Sequence, residues 1–306
     1  MKLGAIGECM LEISHENKLD FSQASLKFGG DTLNTVLYAS RLGVESYFFS
    51  ALGDDHYSNW LLMEWSSAGI QTEYVLQLAN KLPGIYAIEV DNHGERSFHY
   101  WRQQSAFKDY LNALDTDKFM RQLRELDFIY LSGITLSVFD DHQREVLCNC
   151  LEKLSKLGKT IIYDGNYRPR NWTNTQMAIH WNTRILKYVS WYLPTFDDEV
   201  MMHGFEDLDA LFDYYKDFNI AELVVKNGES GCWVISAEEK TLVAVEQAIK
   251  PVDTTAAGDS FNAGYIAGRL NGKSASEAAL VGHKVAAQVI QYRGAIVDKN
   301  KFVNPL

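Results

Sequence analysis

The segment 253–261 combines small residues, a carboxylate and the start of an apolar helical pattern. It reads DTTAAGDSF and follows residues 248–252, whose apolar character predicts a short strand. Small residues at the N-terminus of a helix leave backbone N–H groups free to bind an anion. Asp259 would lie in the first helical turn, where its carboxylate can take a proton from a hydroxyl that attacks a bound phosphoryl group. An isolated aspartate would more simply complement the helix dipole, but the complete segment favours a phosphoryl-transfer site.

Two further segments place polar groups where a small polar ligand can bind. Residues 28–34 read FGGDTLN, in which two glycines permit close approach of a ligand to the backbone and Asn34 offers both a donor and an acceptor. Residues 164–169 read DGNYRP and directly follow an apolar strand, which is where open α/β sheets bind ligands. Each segment by itself also fits an ordinary turn, with Arg168 paired to a neighbouring acid.

The segment 225–231, which reads VKNGESG, predicts a strand that ends in a glycine turn. Lys226 can meet nucleotide phosphates or be an ordinary exposed lysine, and the segment alone favours the second interpretation. The stretch 268–274, GRLNGKS, is not a P-loop, because it has three residues between its glycines instead of four and follows a helix.

Apolar runs and helical patterns alternate along the chain and predict the framework that positions these segments. The strand-like runs lie at 46–52, 128–131, 160–163, 191–193 and 223–226. Residues 141–158 have helical spacing with a terminal glycine. Ser274 and Glu277 form a capping box before a helix that we expect to end near Gln291. This alternation predicts an α/β fold with a mostly parallel sheet flanked by helices.

Residues 85–100 break this rhythm and predict a β-hairpin that turns at 92–94. A hairpin inside an α/β chain can form an edge extension or a lid. No repeat, low-complexity segment or linker interrupts the sequence, so we expect a single domain that spans residues 1–306.

The composition excludes several classes of function. The 306 residues carry a formal net charge of −11 at pH 7, which repels nucleic acid and anionic membranes, so neither is an expected partner. The four cysteines have no zinc-binding spacing and are expected to be reduced core thiols. The first residues lack the apolar stretch of a secretory signal, and no run approaches the roughly 18 apolar residues of a membrane span. We therefore expect a cytoplasmic protein.

Taken in chain order, the four segments resemble the ribokinase-like (PfkB) carbohydrate kinases. The resemblance covers essentially the whole chain, and the stretches IGECMLEIS, LPGIYAIE, GERSFHYWR, DGNYRPRNW and QYRGAI are most similar to 2-keto-3-deoxygluconate kinases. It implies a Rossmann-like ribokinase fold in which a small β-lid, formed mainly by 85–102 and a segment near 10–28, covers the sugar. It also implies ATP and Mg²⁺ as cofactors and phosphorylation of the terminal (6-) hydroxyl of 2-keto-3-deoxygluconate, giving 2-keto-3-deoxy-6-phosphogluconate.

The resemblance also assigns roles to residues of this sequence. Asp259 would be the catalytic base, and the transferred phosphoryl group would be bound by the backbone N–H groups of Ala256, Ala257 and Gly258. The residues expected to hold the sugar acid are Gly30, Asn34, Tyr86, Tyr100, Arg102 and Arg168. The residues expected along the nucleotide are Lys226, Gly228 and Gly231, with His283 near the adenine.

Two positions depart from the family pattern. Many members have glycine where this chain has Ala256, and we expect alanine to be tolerated at little cost because the position should lie in a helical first turn. The NxxE motif that helps to place magnesium is absent, with Thr195 in its asparagine position and Asp198 in its glutamate position. Asp198 and Glu199, with Asp197 as the alternative, are the acids expected to place Mg²⁺, and to do so indirectly.

Arginines near the expected sugar site indicate the charge of the substrate. They are Arg96 and Arg102 in and after the hairpin, and Arg168 and Arg170 after a strand. A guanidinium fork suits a carboxylate, whereas a neutral sugar needs hydroxyl partners, so a sugar acid is favoured. The alternatives are a fructokinase or other neutral-sugar kinase of the family and, more remotely, a non-catalytic sugar- or nucleotide-binding protein. An exposed edge strand of the lid would also allow two copies to pair as a homo-oligomer.

Overall fold

The computed structural model describes residues 1–14, 24–90, 96–246 and 249–306. The strands are β1 (Lys2–Ile6), β2 (Met10–Ser14), β3 (Ser25–Gly29), β4 (Glu45–Gly53), β5 (Ile70–Gln71), β6 (Val75–Leu78), β7 (Gly84–Val90), β8 (Arg96–Trp101), β9 (Phe128–Ser132), β10 (Thr160–Asp164), β11 (Trp191–Tyr192), β12 (Glu222–Lys226), β13 (Cys232–Ser236) and β14 (Lys240–Val243). The α-helices are α1 (Asp31–Arg41), α2 (His56–Ser67), α3 (Tyr110–Ala113), α4 (Thr116–Arg124), α5 (Gly133–Val138), α6 (Asp141–Lys156), α7 (Thr175–Leu186), α8 (Phe196–His203), α9 (Leu208–Tyr215), α10 (Ala257–Leu270) and α11 (Ala275–Val289).

A central sheet organises most of the described chain. Its strand order is β14-β13-β12-β11-β10-β9-β1-β4-β5, and β6 pairs with β4 beside this path. The pairs from β12 to β5 are parallel, whereas β13 and β14 add an antiparallel edge. The prediction of a mostly parallel sheet is therefore confirmed, and the runs predicted at 46–52, 128–131, 160–163, 191–193 and 223–226 lie within one residue of these bounds.

Helices cover both faces of the central sheet, as predicted. One apolar core contains side chains of α1, α2, α10 and α11, and the other contains side chains of α4, α6, α7 and α9. Capping boxes begin α6 (Asp140 with Gln143) and α11 (Ser274 with Glu277). After α6 the chain passes through Gly158, whose φ of 78° lies in the left-handed region that glycine adopts without strain.

Glycines bring α10 and α11 unusually close together. A Cβ atom on Gly264 would lie 2.8 Å from the Cα atom of Gly282, and one on Gly268 would lie 2.9 Å from the Cα atom of Ala278. Side chains at either glycine would therefore push the two helices apart. This close packing sets the position of α10, whose N-terminus carries the segment 253–261.

Four strands form a second, separate sheet, which we call the small sheet. Its order is β3-β2-β7-β8, with β2 and β7 parallel and the two outer pairs antiparallel. One face carries the buried side chains of Met10, Tyr86 and Ile88, against which Phe98 and Tyr100 pack. The two strands predicted within 85–100 are thus present, while the predicted turn at 92–94 lies outside the described residues.

The strand predicted over 248–252 is wrong for the residues that the structure describes there. Residues 249–252 form no strand, and the N–H groups of Val252 and Asp253 both donate to the carbonyl oxygen of Ile290, at 2.8 and 3.1 Å. The carbonyl oxygen at the end of α11 therefore accepts hydrogen bonds that a neighbouring strand would otherwise accept, and the Val252 side chain is exposed. Among the described residues there is no helix whose length and apolarity would allow it to cross a membrane.

Candidate active site

Two adjoining cavities open where the carboxyl ends of β10 and β12 meet the N-termini of α1 and α10. The wall of the first, which we call the core cavity, includes Asp31, Asp164, Asn166, Thr195, Asp197, Asp198, Lys226, Ala256, Gly258 and Asp259. The wall of the second, which we call the small-sheet cavity, includes Glu8, Gly30, Asn34, Tyr86, Tyr100, Arg102 and Arg170. Asp31 and Arg168 line both cavities, so a molecule in one can reach a molecule in the other.

Asp259, a half-buried residue, lies in the first turn of α10, as predicted, and lines the core cavity. The side chain of Asn34 donates a hydrogen bond of 2.8 Å from Nδ2 to Oδ2 of Asp259. Burial, followed by the negative charge of Asp31, raises the pKa of Asp259 to about 7, although the hydrogen bond from Asn34 acts in the opposite direction. A carboxylate with a pKa near neutrality can accept and release a proton at physiological pH.

The backbone at the start of α10 differs from the expectation at Ala256. This residue is the N-cap of α10 with φ 60° and ψ 18°, in the left-handed region, and does not lie in the helical first turn. Glycine adopts this conformation with less strain than alanine does. In the described part of the chain the N–H groups of Ala256 and Gly258 have no acceptor, whereas that of Ala257 donates to the carbonyl oxygen of Thr254 at 3.1 Å.

Lys226 is a buried lysine with two side-chain partners, not an ordinary exposed one. Its Nζ lies 3.2 Å from Oδ2 of Asp164 and 3.0 Å from Oδ1 of Asn262, and Nδ2 of Asn262 donates to the same Oδ2 of Asp164. A Cβ on Gly258 would lie 3.6 Å from Nζ of Lys226. The ammonium group is therefore held beside the free N–H groups at the start of α10, where positive charge favours an anion.

All six residues expected to hold a sugar line the small-sheet cavity: Gly30, Asn34, Tyr86, Tyr100, Arg102 and Arg168. Gly30 precedes α1 and admits no side chain, because a Cβ there would lie 2.2 Å from the carbonyl oxygen of Glu8. The rings of Tyr86 and Tyr100 stack with centroids 5.9 Å apart, and the guanidinium of Arg170 lies 4.2 Å from the ring centroid of Tyr100. The small sheet and the loop after β10 thus form opposite walls of one cavity.

The arginines in this cavity are largely paired with acids. Arg102 donates from Nη2 to Oε2 of the buried Glu8, and Arg168 donates from Nη1 to Oδ1 of Asp198 at 2.8 Å. The side chain of Arg96, which the sequence also placed near the sugar, lies outside the described residues. The two pairs leave the remaining guanidinium nitrogens of Arg102 and Arg168 for a ligand.

The residues expected along the nucleotide, other than Lys226, lie apart from both cavities. Gly228 and Gly231 have φ values of 52° and 94° in the turn between β12 and β13, and a Cβ on Gly231 would lie 2.2 Å from the carbonyl oxygen of Val243. Nε2 of His283 lies 3.1 Å from the same carbonyl oxygen, and its ring packs edge-on against Phe261 at 5.0 Å. The turn and the histidine therefore meet around Val243.

The two acids expected to place a metal ion have different surroundings. Asp198 lines the core cavity, and so does the exposed Asp197. Glu199 is fully buried and accepts hydrogen bonds of 2.5 Å from the hydroxyls of Tyr192 and Tyr215, and burial raises its pKa to about 7. No group of three or more His, Cys, Asp or Glu side chains in the described residues has the arrangement of a metal site.

The cavity residues that were not singled out from the sequence include four polar ones: Glu8, Asp31, Asp164 and Asn166. Nδ2 of Asn166 donates to Oδ2 of Asp31 at 2.9 Å, which fixes Asp31 between the two cavities. Three of the four lie inside segments 28–34 and 164–169, so their signal was position within a recognised motif. The signal for Glu8 was its place just after β1, at the carboxyl end of a parallel strand.

Comparison with known proteins decides the family. Residues 2–301 match the family described as pfkB family carbohydrate kinase. It belongs to the pfkB family of carbohydrate kinases. A relative named 2-dehydro-3-deoxygluconokinase from Dickeya dadantii is 39% identical over 303 residues, covering 96% of this chain and 96% of its own length.

Solved structures of pfkB kinases share the fold. The chain resembles a crystal structure titled 2-dehydro-3-deoxygluconokinase from Thermotoga maritima with a TM-score of 0.85 at 22% identity, covering 97% of this chain and 96% of that one. A putative ribokinase II from E. coli, in complex with ATP and Mg²⁺, has a TM-score of 0.81 at 21% identity, with 96% and 94% covered. The predictions of a ribokinase-like fold and of a sugar kinase of this family are therefore confirmed.

Proposed function

We propose that this chain uses ATP to phosphorylate the terminal (6-) hydroxyl of 2-keto-3-deoxygluconate, giving 2-keto-3-deoxy-6-phosphogluconate. The observation that carries the proposal is Asp259, which lies where the core and small-sheet cavities adjoin and is hydrogen-bonded to Asn34 of the small-sheet cavity. The name of the Dickeya dadantii relative, which matches this chain over nearly its whole length, supports the choice of substrate.

In the proposed reaction Asp259 acts as the general base. The terminal oxygen of the sugar forms a bond to the γ-phosphorus of ATP while the bond from that phosphorus to the oxygen of ADP breaks. The hydroxyl proton passes to the Asp259 carboxylate, whose pKa of about 7 leaves a substantial fraction unprotonated at neutral pH. Asn34 fixes the direction of the carboxylate, so that the free oxygen can face the substrate.

The charge of the transferred phosphoryl group would be met at the start of α10. The free N–H groups of Ala256 and Gly258 and the ammonium of Lys226 are the donors available there. Mg²⁺ bound together with ATP supplies further positive charge to the phosphate oxygens. Asp197 and Asp198, which line the core cavity, would place that ion, whereas both oxygens of Glu199 are already engaged by tyrosines.

The rest of the nucleotide would extend from Lys226 toward the turn between β12 and β13. The backbone of Gly228 and Gly231 allows close approach there, and His283 would lie near the adenine. The proximity of His283 to this turn through Val243 supports the assignment.

The sugar would bind in the small-sheet cavity, with Gly30, Tyr86 and Tyr100 around its carbon chain and Arg102 and Arg168 toward its carboxylate.

We propose that the small sheet is a lid belonging to the single domain 1–306, and that its exposed edge allows two copies to pair, which size-exclusion chromatography can test. Nucleic acid and membranes are not proposed as partners because of the net charge of −11. Dependence on ATP would place the enzyme in the cytoplasm.

A coupled assay of ADP release, run over neutral sugars, hexonates and 2-keto-3-deoxy acids, tests this proposal. We expect 2-keto-3-deoxygluconate to give the highest kcat/KM by at least about tenfold over fructose, because a charged hydrogen bond contributes roughly 1.5–3 kcal/mol. Equal or higher kcat/KM for fructose would replace the proposal with a neutral-sugar kinase. Absence of sugar-dependent ADP release from every candidate would leave a binding protein without catalysis.

A further inference from the structure

Glu8 is a buried acid that the proposed reaction does not yet use. It follows β1, and its side chain is 3% exposed in the wall of the small-sheet cavity. Oε2 accepts a hydrogen bond from Nη2 of Arg102. Oε1 is also buried but receives no hydrogen bond from any residue that the structure describes.

A carboxylate oxygen that is buried without a hydrogen-bond donor is costly, because it has lost its hydration and gained no partner. Such an atom in a native protein calls for an explanation, and a bound ligand is one of the few available. The neighbouring strand leaves this oxygen uncovered by a side chain: a Cβ on Gly84 would lie 3.0 Å from Oε1. The other walls of the same cavity include Gly30 and Asn34, which face the expected sugar.

Glu8 also changes which substrate groups Arg102 binds most strongly. Arg102 is held at one nitrogen by a full negative charge, so its guanidinium is partly neutralised before any substrate binds. A substrate carboxylate at Arg102 must approach Glu8 as well, whereas a hydroxyl group meets no such repulsion. The Glu8–Arg102 pair therefore attracts a substrate carboxylate less strongly than Arg102 alone would, while it can still bind a hydroxyl group.

We propose that Glu8 is a substrate-binding residue that accepts a hydrogen bond from a sugar hydroxyl through Oε1 and moderates, through Oε2, the affinity of Arg102 for the substrate carboxylate. This inference rests on the proposed function for the identity of the sugar. The competing interpretation is that the pair only fastens the small sheet to the core, since Arg102 directly follows β8.

Two substrates separate these interpretations: 2-keto-3-deoxygluconate and its neutral analogue 3-deoxyfructose, which has a hydroxymethyl group in place of the carboxylate. The variants are Glu8→Ala and the isosteric Glu8→Gln. Glu145→Gln is the matched control, because Glu145 also pairs with an arginine, Arg184, but lies on α6 outside both cavities. The analogue is measured as a substrate, or as an inhibitor if its turnover is too slow.

We expect Glu8→Ala to weaken the binding of the neutral analogue on the order of 10–150-fold, as for loss of a hydrogen bond to a charged group. The affinity for 2-keto-3-deoxygluconate should fall by a smaller factor, because removal of the Glu8 charge strengthens the attraction of its carboxylate to Arg102. The ratio of the affinity for the acid to the affinity for the analogue should therefore rise. Glu8→Gln keeps a hydrogen-bond acceptor, so its affinity for the analogue should fall less, while the ratio should also rise. The KM for ATP should be unchanged in both Glu8 variants, and Glu145→Gln should have wild-type KM values for both sugars.

Unchanged KM values for both sugars in a folded Glu8→Ala protein, with only a lower melting temperature, would show that the pair is structural and overturn the inference. A fall in the ratio would also overturn it, because Glu8 would then assist the carboxylate at Arg102. Failure of the proposed function is a separate result: the wild type would not turn over 2-keto-3-deoxygluconate. In that case the KM of Glu8→Ala for whichever sugar the wild type accepts decides whether Glu8 binds substrate.

Discussion

Asn34 and Asp259 are 225 residues apart in the sequence and are joined by a hydrogen bond of 2.8 Å. The bond connects the first turn of α10, beside the core cavity, with α1, beside the small-sheet cavity. Because Asn34 uses Nδ2 for Asp259, its buried Oδ1, which has no partner among the described residues, is left for a ligand. One side chain therefore orients the proposed base and faces the proposed sugar site.

Replacement of the base by its amide tests its role directly. Asp259→Asn should lower kcat by about 10²–10⁴, the usual contribution of a positioned general base. Asparagine keeps the shape and an oxygen for Asn34 but cannot take the proton, so KM for the sugar should change much less. Steady-state kinetics with both substrates measure this, and turnover at the wild-type rate would remove Asp259 from the mechanism.

The pH dependence of kcat/KM should report the raised pKa of Asp259. Only the unprotonated carboxylate can act as a base, so kcat/KM should fall as the pH decreases through about 7. Asn34→Ala removes the hydrogen bond that lowers this pKa, so the acidic limb should move to higher pH. Loss of sugar contacts alone would lower kcat/KM at every pH without moving the limb, and that result would contradict the assignment.

The same shift predicts how Asp259 affects stability. Its folded pKa is raised from 3.8 to about 7, so between these values the folded state holds a proton that the unfolded state has lost. Stability from this group is therefore fully present below about pH 4 and is lost as the pH rises through about 7. Asp259→Asn, which has no charge to desolvate, should raise the melting temperature at pH 8 and have a smaller effect at pH 4. An equal change at both pH values would argue against a raised pKa in the folded state.

Ala256 should be a site of local strain. Its left-handed conformation costs an L-residue roughly 1–2 kcal/mol, whereas the greater unfolded-state entropy of glycine costs about 0.5–1 kcal/mol, so Ala256→Gly should stabilise the protein by up to about 1.5 kcal/mol. The adjacent Ala257→Gly is the matched control, because Ala257 begins the helix and glycine should destabilise it. Chemical denaturation of both variants checks the opposite signs, and destabilisation by Ala256→Gly would contradict the backbone geometry.

The acids of α8 should separate into two groups with respect to Mg²⁺. Activity should vanish with EDTA and return with Mg²⁺, and Asp197→Asn or Asp198→Asn should raise the Mg²⁺ concentration needed for half-maximal rate, because both residues line the core cavity. Glu199→Ala should leave that concentration unchanged and lower stability, because two buried tyrosine hydroxyls lose their acceptor at about 1–3 kcal/mol each. A raised Mg²⁺ requirement in Glu199→Ala alone would reverse this assignment.

Local sequence patterns were sufficient for several strands, for some of the helices and for the motif residues on them. Five strands of the central sheet and the strands of the hairpin followed from apolar runs, α6 from its apolar spacing, and α11 from its spacing and the Ser274 cap, because these signals act within a few positions of the chain. Asp259 was placed in the first turn of α10 for the same reason. The strand expected at 248–252 failed because apolar character alone does not provide a neighbouring strand, and the end of α11 took those hydrogen bonds instead.

The contacts between segments were decided only by the tertiary structure. The sequence contains Asn34, Asp259, Glu8 and Arg102 but gives no indication of which acid meets which donor, because such pairs depend on how the sheets and helices pack. Packing likewise turned Glu199 toward two tyrosines and away from the core cavity. The residue types that make phosphoryl transfer possible are thus legible in the sequence, whereas their charges, partners and orientations arise from contacts between residues far apart along the chain.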